Sequence, residues 1–174
     1  DWIKREPRKG GELIPRILIK LNEVLKNKIS VITSGRDRFE NIENLNKMDF
    51  RYTGNVSGDE KMRDILRGAD LVLHPSLADN LPNLLLEAGA CGTPAAAFNV
   101  GGTSDIVIDE KTGILEAPFD VENYCLRIAS LLDNDEKLRA FSENSRNHII
   151  SSFSSEKTAE SYHNYFVKII QKGI

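Results

Sequence analysis

Residues 69–102 read ADLVLHPSLADNLPNLLLEAGACGTPAAAFNVGG, and the fold is decided by how this stretch divides. Leu71, Val72 and Leu73 form a short apolar run that breaks at His74-Pro75-Ser76, as a buried parallel strand does on reaching the rim of its sheet. The polar loop Leu77-Ala78-Asp79-Asn80 follows. Leu81 to Cys91 carries apolar residues at helical spacing, with Pro82 in the first turn, where its missing N–H does no harm, and Gly92 just past the end. Pro94 to Phe98 gives a second buried strand. Gly101-Gly102 then gives a loop in which backbone can approach a ligand closely.

Two acids carry the chemistry of the stretch. Asp79 stands at the mouth of the helix, and Glu87 lies inside an otherwise apolar helix, where a carboxylate is unfavourable unless something hydrogen-bonds it. Between them the free N–H groups of the first helical turn, near Leu81 to Leu84, carry the positive end of the helix dipole and suit a phosphate. An anion site flanked by two acceptors for hydroxyl groups matches a sugar attached to a nucleotide diphosphate.

The run PSLADNLPNLLLEAGACGTPAAAFNVGG resembles the donor-binding signature of retaining GT-B glycosyltransferases, in particular the family 4 group that builds bacterial polysaccharides. The pattern is an acid, seven residues and a glutamate, then a small-residue turn, a strand and Gly-Gly. Asp79 stands where most members carry glutamate, and Asn80-Leu81-Pro82-Asn83 replaces the commoner Gly-Phe-Gly. This form is similar to a branch associated with capsule or exopolysaccharide synthesis. The resemblance runs over nearly the whole chain and is strongest from Ala69 to Val107.

With 174 residues, 40% of them hydrophobic, the chain fits one domain over 1–174 with a core of its own. A net charge of −3 and no dense cluster of Lys and Arg argue against nucleic acid. Cys91 and Cys125 fall in expected helices without metal-ligand neighbours and read as core thiols of a reducing compartment. His148 and His163 likewise have no partners at ligand spacing, so no metal site is expected. No apolar run approaches a membrane span, and Asp1 to Lys4 is not a signal peptide. The expected location is cytoplasmic, or peripheral at an inner membrane face through a part of the protein outside this chain.

The chain opens with a basic turn, Lys4 to Gly11, and a helix over Glu12 to Asn27 with Leu13, Ile17, Leu21, Val24 and Leu25 on one face. The resemblance implies that Arg8 and Lys9 reach the donor diphosphate; the plainer alternative is a solvated charge run. Ile29 to Thr33 reads as a strand ending at Ser34-Gly35-Arg36, with Arg36 either serving the ligand or lying free in a loop. A helix over Phe39 to Lys47 and a strand over Phe50 to Gly54 follow. Ser57 is the expected N-cap of a helix from Gly58 to Arg67, with Glu60 completing a capping box. The resemblance implies that the loop Gly54-Asn55-Val56 lines the nucleobase pocket through its backbone. His74 reads either as a general base or sugar contact or as a structural histidine. Thr103 to Val107 forms one helical turn, Asp109 to Gly113 a turn into the strand Ile114-Leu115, and helices over Val121–Leu132, Glu136–Ile150 and Glu156–Ile170 are expected to face the core.

Alternating strands and helices imply a Rossmann-like α/β domain, an open parallel sheet with helices on both faces and its ligand at the carboxyl ends of the strands. The G-x-G-x-x-G of a dinucleotide dehydrogenase is missing. The resemblance implies the C-terminal, donor-binding half of a GT-B enzyme that transfers sugar with retention from a UDP- or GDP-linked donor and needs no cofactor or bound metal. In it Glu87 takes the ribose hydroxyls, Asp79 a sugar hydroxyl, and Lys9, Arg8 and the amides near Leu84 neutralise the leaving diphosphate. Asn80, Leu81, Asn83, Gly101 and Gly102 complete the donor site. The acceptor, a glycan or lipid-linked sugar, would bind an N-terminal domain that this chain lacks. Two other readings stay open: a nucleotide or nucleotide-sugar sensor without transfer chemistry, and a structural domain in which neighbouring backbone satisfies Glu87. Members of the family also place an apolar strand before the basic loop, between the strands at Ile29–Thr33 and Leu71–Leu73. Asp1 to Lys4 is too polar and short for it, and a segment upstream of Asp1 is the expected occupant.

Overall fold

The computed structural model describes residues 6–35 and 42–172. Two short 3-10 turns, Pro7–Lys9 and Gly11–Leu13, lead into α1 (Ile14–Val24), followed by β1 (Ile29–Thr33), β2 (Met48–Tyr52) and α2 (Asp59–Arg67). Next come β3 (Val72–His74), α3 (Asn83–Cys91), β4 (Ala95–Phe98), the single turn α4 (Thr103–Ile106) and β5 (Gly113–Glu116). Three helices close the chain: α5 (Val121–Leu132), α6 (Asp135–Phe153) and α7 (Ser155–Lys172).

Every strand pair is parallel, and β4 explains the layering. Its four residues are all buried, Ala96 and Phe98 in one cluster with Ile17 and Leu21 of α1 and Tyr124 and Ile128 of α5, Ala95 and Ala97 in another with Leu85 of α3 and Ile149 of α6. Alternate side chains of a strand point to opposite faces, so helices cover both sides of β4 as the sequence implies. Small alanines let the covering helices come close, and the Tyr124 hydroxyl, buried under the sheet, donates to the Ala96 carbonyl at 2.7 Å.

The sheet is divided. β3, β4 and β5 form one unit in the order β3-β4-β5, and among the described residues β1 pairs with β2 alone. The two units pack against the same apolar cluster, through Ile29 and Met48 on one side and Leu71 and Leu73 on the other, but no backbone ladder joins them among the described residues. β1 and β3 are therefore not paired directly, as the expectation of a slot between them requires; Asp1 to Arg5 lie outside the described residues.

Several local expectations need correction. Arg36 lies outside the described residues, as does the start of the helix expected over Phe39 to Lys47; residues 42–47 form turns, with Asn44 at φ 64. Asparagine tolerates this left-handed conformation, and a helix does not. Asn22 of α1 holds these turns, accepting from the Lys47 amide at 2.9 Å and donating to the Asn44 carbonyl at 3.0 Å. The cap of α2 is Gly58 at φ 92, without any side-chain capping bond, rather than Ser57. α7 does not face the core: Tyr162, Tyr165, Phe166 and Ile170 are all more than half exposed. Both faces of β4 are already covered by α1, α5, α3 and α6, so α7 adds nothing to that layer.

Candidate active site

The site is built where the basic turn meets the loop after β3. Gly10 has φ 70, and a Cβ there would lie 1.7 Å from the Pro75 carbonyl oxygen, so only glycine lets the two backbones touch. Two residues earlier the Arg8 carbonyl accepts from the Leu77 amide at 2.7 Å and the Ala78 amide at 3.2 Å. This fastening aims Lys9 at the loop, and its Nζ lies 2.6 Å from Asp79 Oδ2. The Asp79 side chain is 11% exposed and that of Lys9 33%. Lys9 is thus no solvated surface charge. Arg8 is the more open of the two, 57% exposed and paired with Glu6 at 2.9 Å.

The charges set one another. Burial pushes the Asp79 carboxyl up, but the Lys9 ammonium outweighs it, with smaller help from His74 and Arg8, and holds Asp79 below the ordinary carboxylate range. His74 ends β3 with its ring against the same carboxylate, Nε2 3.6 Å from Asp79 Oδ2. Burial holds the imidazole pKa below its ordinary value, Asp79 opposes that, and Lys9 adds to it. Nε2 is buried and has no hydrogen-bond partner among the described residues. His74 is thus a buried residue behind Asp79 and does not itself line the cleft.

The second wall is the loop after β4. Gly101 lines the cleft, and the space a side chain would fill at Gly101 and Gly102 is taken by the loop after β3. A Cβ on Gly101 would lie 1.9 Å from the Asp79 carbonyl oxygen and one on Gly102 2.1 Å from that of Asn80, and the Gly102 amide already donates to the Asn80 carbonyl at 2.8 Å. These glycines admit the neighbouring loop. Thr103, fully buried, braces the turn through its Oγ1, which lies 2.9 Å from the Phe98 carbonyl and accepts from the Val100 amide at 2.9 Å. Between the walls is a cleft of about 330 Å³ lined by Arg8, Ala78, Asp79, Asn80, Val100 and Gly101. A larger hollow, about 560 Å³, opens near Arg67, Asp70 and Pro94 at the amino ends of the strands, where the Lys9–Asp79 charges are absent.

The helix α3 contributes less directly than expected. Pro82 is its N-cap, without a side-chain capping bond, so the open donors are the Asn83 and Leu84 amides rather than a run from Leu81; Leu81 itself is 43% exposed. Glu87 faces solvent and makes no hydrogen bond or ion pair among the described residues. It is not the buried acid expected, and no neighbouring backbone satisfies it. Asn83, Leu84 and Glu87 do not line the cleft, nor does the loop Gly54-Asn55-Val56, which follows β2 and whose Gly54 carbonyl accepts from the Gly35 amide at 2.8 Å. Among the described residues no three His, Cys, Asp or Glu side chains gather as a metal site, and no helix is long and apolar enough to cross a membrane.

An arginine and a carboxylate of depressed pKa on the cleft, with a lysine paired to that carboxylate, make a place for an anion next to a hydroxyl group. The family profile described as glycosyl transferases group 1 matches residues 4–148, which span this site and the sheet beneath it. The chain belongs to this glycosyltransferase family. An uncharacterized glycosyltransferase of Methanocaldococcus jannaschii is 30% identical over 170 residues, 93% of this chain and 43% of that protein. D-inositol 3-phosphate glycosyltransferase 2 of Catenulispora acidiphila is 38% identical over 88 residues, 51% of this chain and 21% of its own length. This chain therefore spans less than half the length of these relatives.

Solved structures agree on the fold. Sucrose-phosphate synthase of Thermosynechococcus elongatus superposes with a TM-score of 0.74 at 22% identity, over 96% of this chain and 44% of that one. HepE of Anabaena in complex with UDP-glucose gives 0.70 at 19%, over 91% and 46%. The group 1 glycosyltransferase domain is thus the GT-B type of α/β fold.

Proposed function

We propose that this chain is the nucleotide-sugar-binding part of a retaining glycosyltransferase that delivers a sugar to a glycan or lipid-linked acceptor in polysaccharide biosynthesis. The observation that carries the reading is the Lys9–Asp79 pair at 2.6 Å, whose carboxylate lines the cleft. In this reading Lys9 and Arg8, with the Asn83 and Leu84 amides, hold the diphosphate and stabilise the charge that develops on it as the leaving group, which is where a glycosyl transfer gains most. Asp79 accepts from a hydroxyl of the transferred sugar, and the exposed Glu87 closes on the ribose hydroxyls. Neither a metal nor another cofactor is required. That neighbours of the same fold bind UDP and UDP-glucose supports a uridine donor.

Transfer itself belongs to a longer protein in this reading. The acceptor binds a second domain outside the chain, and the enzyme works in the cytoplasm or at its membrane face. A thermal-shift series with UDP, GDP and ADP tests the donor site. A ligand at a hundredfold its dissociation constant adds about 2.7 kcal/mol to stability, a shift of several degrees. If none of the three raises the melting temperature, the reading is wrong; binding without transfer in the full-length protein would instead support a sensor.

A further inference from the structure

His74 is the residue of the site that the donor reading leaves without work. Its side chain is 9% exposed, its Nε2 is buried without a partner, and that nitrogen lies 3.6 Å from the very oxygen, Asp79 Oδ2, that Lys9 holds at 2.6 Å. A buried polar atom left unmade is unfavourable, and native proteins retain few of them. One carboxylate oxygen thus faces two nitrogens and is hydrogen-bonded to one.

We propose that His74 is a positioning residue for Asp79: when the diphosphate of a nucleotide sugar draws Lys9 away, the His74 imidazole takes up a proton and holds the carboxylate through Nε2. The inference rests on the donor-site reading above. The exchange keeps Asp79 from being stranded as an unpaired, largely buried anion, a state that is far less favourable than a paired one. It also keeps the carboxylate aimed at the sugar while the lysine serves the phosphate.

The groups around the ring fix the sign. Lys9 and Asp79 face it, Arg8 acts on Asp79, and the Tyr124 phenol, which meets the His74 backbone, is held neutral because burial pushes its pKa far up. In the free protein burial holds the imidazole below its ordinary pKa, Asp79 raises it and Lys9 lowers it. Taking Lys9 away removes one lowering cause and leaves Asp79 in place, so the ligand raises the imidazole pKa. Binding then takes up a proton, and affinity rises as pH falls through the interval between the free and bound values. The other two histidines are elsewhere: His148 Nε2 lies 2.8 Å from the Asp105 carbonyl, and His163 is on the exposed α7.

UDP-glucose is the suitable probe, because its doubly esterified diphosphate keeps a constant charge over roughly pH 5 to 8, where histidine titrates. Calorimetric titrations across that range, in two buffers of different ionisation enthalpy, should show proton uptake and affinity increasing by up to about tenfold for each unit by which the ligand raises the imidazole pKa. His74→Gln keeps a donor but cannot titrate, and should bind with the pH dependence flattened. In the unsubstituted chain, the His74 ring resonance should titrate at higher pH with UDP-glucose than without it, a readout that does not depend on a variant folding. A flat affinity profile in the parent chain, an unchanged profile in His74→Gln, or no shift of the ring titration would overturn the proposal. Failure to bind UDP-glucose at any pH is a different result, since it removes the donor site itself.

Discussion

Lys9 and Asp79, seventy positions apart in the chain, meet at 2.6 Å across the join between the basic turn and the loop after β3. The free site is closed by its own counter-ion. A phosphate that binds Lys9 must first compete with a carboxylate, so part of the intrinsic attraction for the ligand goes into opening this pair.

Neutralising the carboxylate should therefore separate the nucleotide from the sugar. Asp79→Asn frees Lys9 and is expected to leave UDP affinity unchanged or up to about fivefold tighter, given what partly exposed ion pairs contribute. The same variant should lose the advantage of UDP-glucose over UDP. Calorimetry with both ligands checks this, and a tenfold loss of UDP affinity would show that Asp79 serves the nucleotide instead.

Removal of the cation should read out the diphosphate. Lys9→Ala and Arg8→Ala are expected to weaken UDP more than UMP, with the difference shrinking as salt rises, and more steeply for the exposed Arg8 than for the less exposed Lys9. Equal losses for the two nucleotides would leave both side chains without a phosphate role.

Glu87 offers a clean separation of binding from stability. Because its side chain faces solvent and pairs with nothing described, Glu87→Ala should change stability by no more than about 0.5 kcal/mol. Loss of its hydrogen bonds to ribose should weaken UDP by roughly tenfold to a hundredfold. Parental affinity in the variant would remove Glu87 from the site.

Two glycines with nearly the same positive φ should behave differently. Gly54 at φ 67 has no atom within 4 Å of an added Cβ, so Gly54→Ala should carry only the left-handed strain of about 1 kcal/mol. Gly10 at φ 70 meets the Pro75 carbonyl at 1.7 Å, and Gly10→Ala should lower stability by about 3 kcal/mol or more while also loosening Lys9 from Asp79. Chemical denaturation of the two variants measures the contrast, and equal losses would mean that the turn gives way at little cost.

Much of the fold was legible because its signals are local. The helix over Val121–Leu132 is found at the bounds its apolar spacing gives, and α3 ends at Gly92, which takes φ 81. The core strand Ala95–Phe98 was readable as a short apolar run between a proline and glycines. Glu87 was misread because leucines and alanines surround it on all sides in sequence. Only Leu85, Ala88 and Gly89 are buried in α3, and that stripe, once seen, leaves Glu87 off it. Gly101-Gly102 looks the same in sequence whether a ligand, another loop or both approach, so the contact with the Asp79 and Asn80 backbone was not legible locally. The Lys9–Asp79 contact and the orphaned Nε2 of His74 depend on chain segments brought together only by folding, and no spacing rule reaches that far. The turns at residues 42–47 were hidden by helix-compatible residues and decided by Asn44.

The division of the sheet has a consequence for how the protein breathes. β1 and β2 contain no buried residue and, among the described residues, pair only with each other, whereas all four residues of β4 are buried between two helical layers. Amide protons of Ile29–Thr33 and Met48–Tyr52 should then exchange with solvent through a local opening of that ribbon, long before those of Ala95–Phe98, which wait for global unfolding. The chain would unzip from its outer ribbon inwards, with the cleft around Asp79 on the slow side of the boundary.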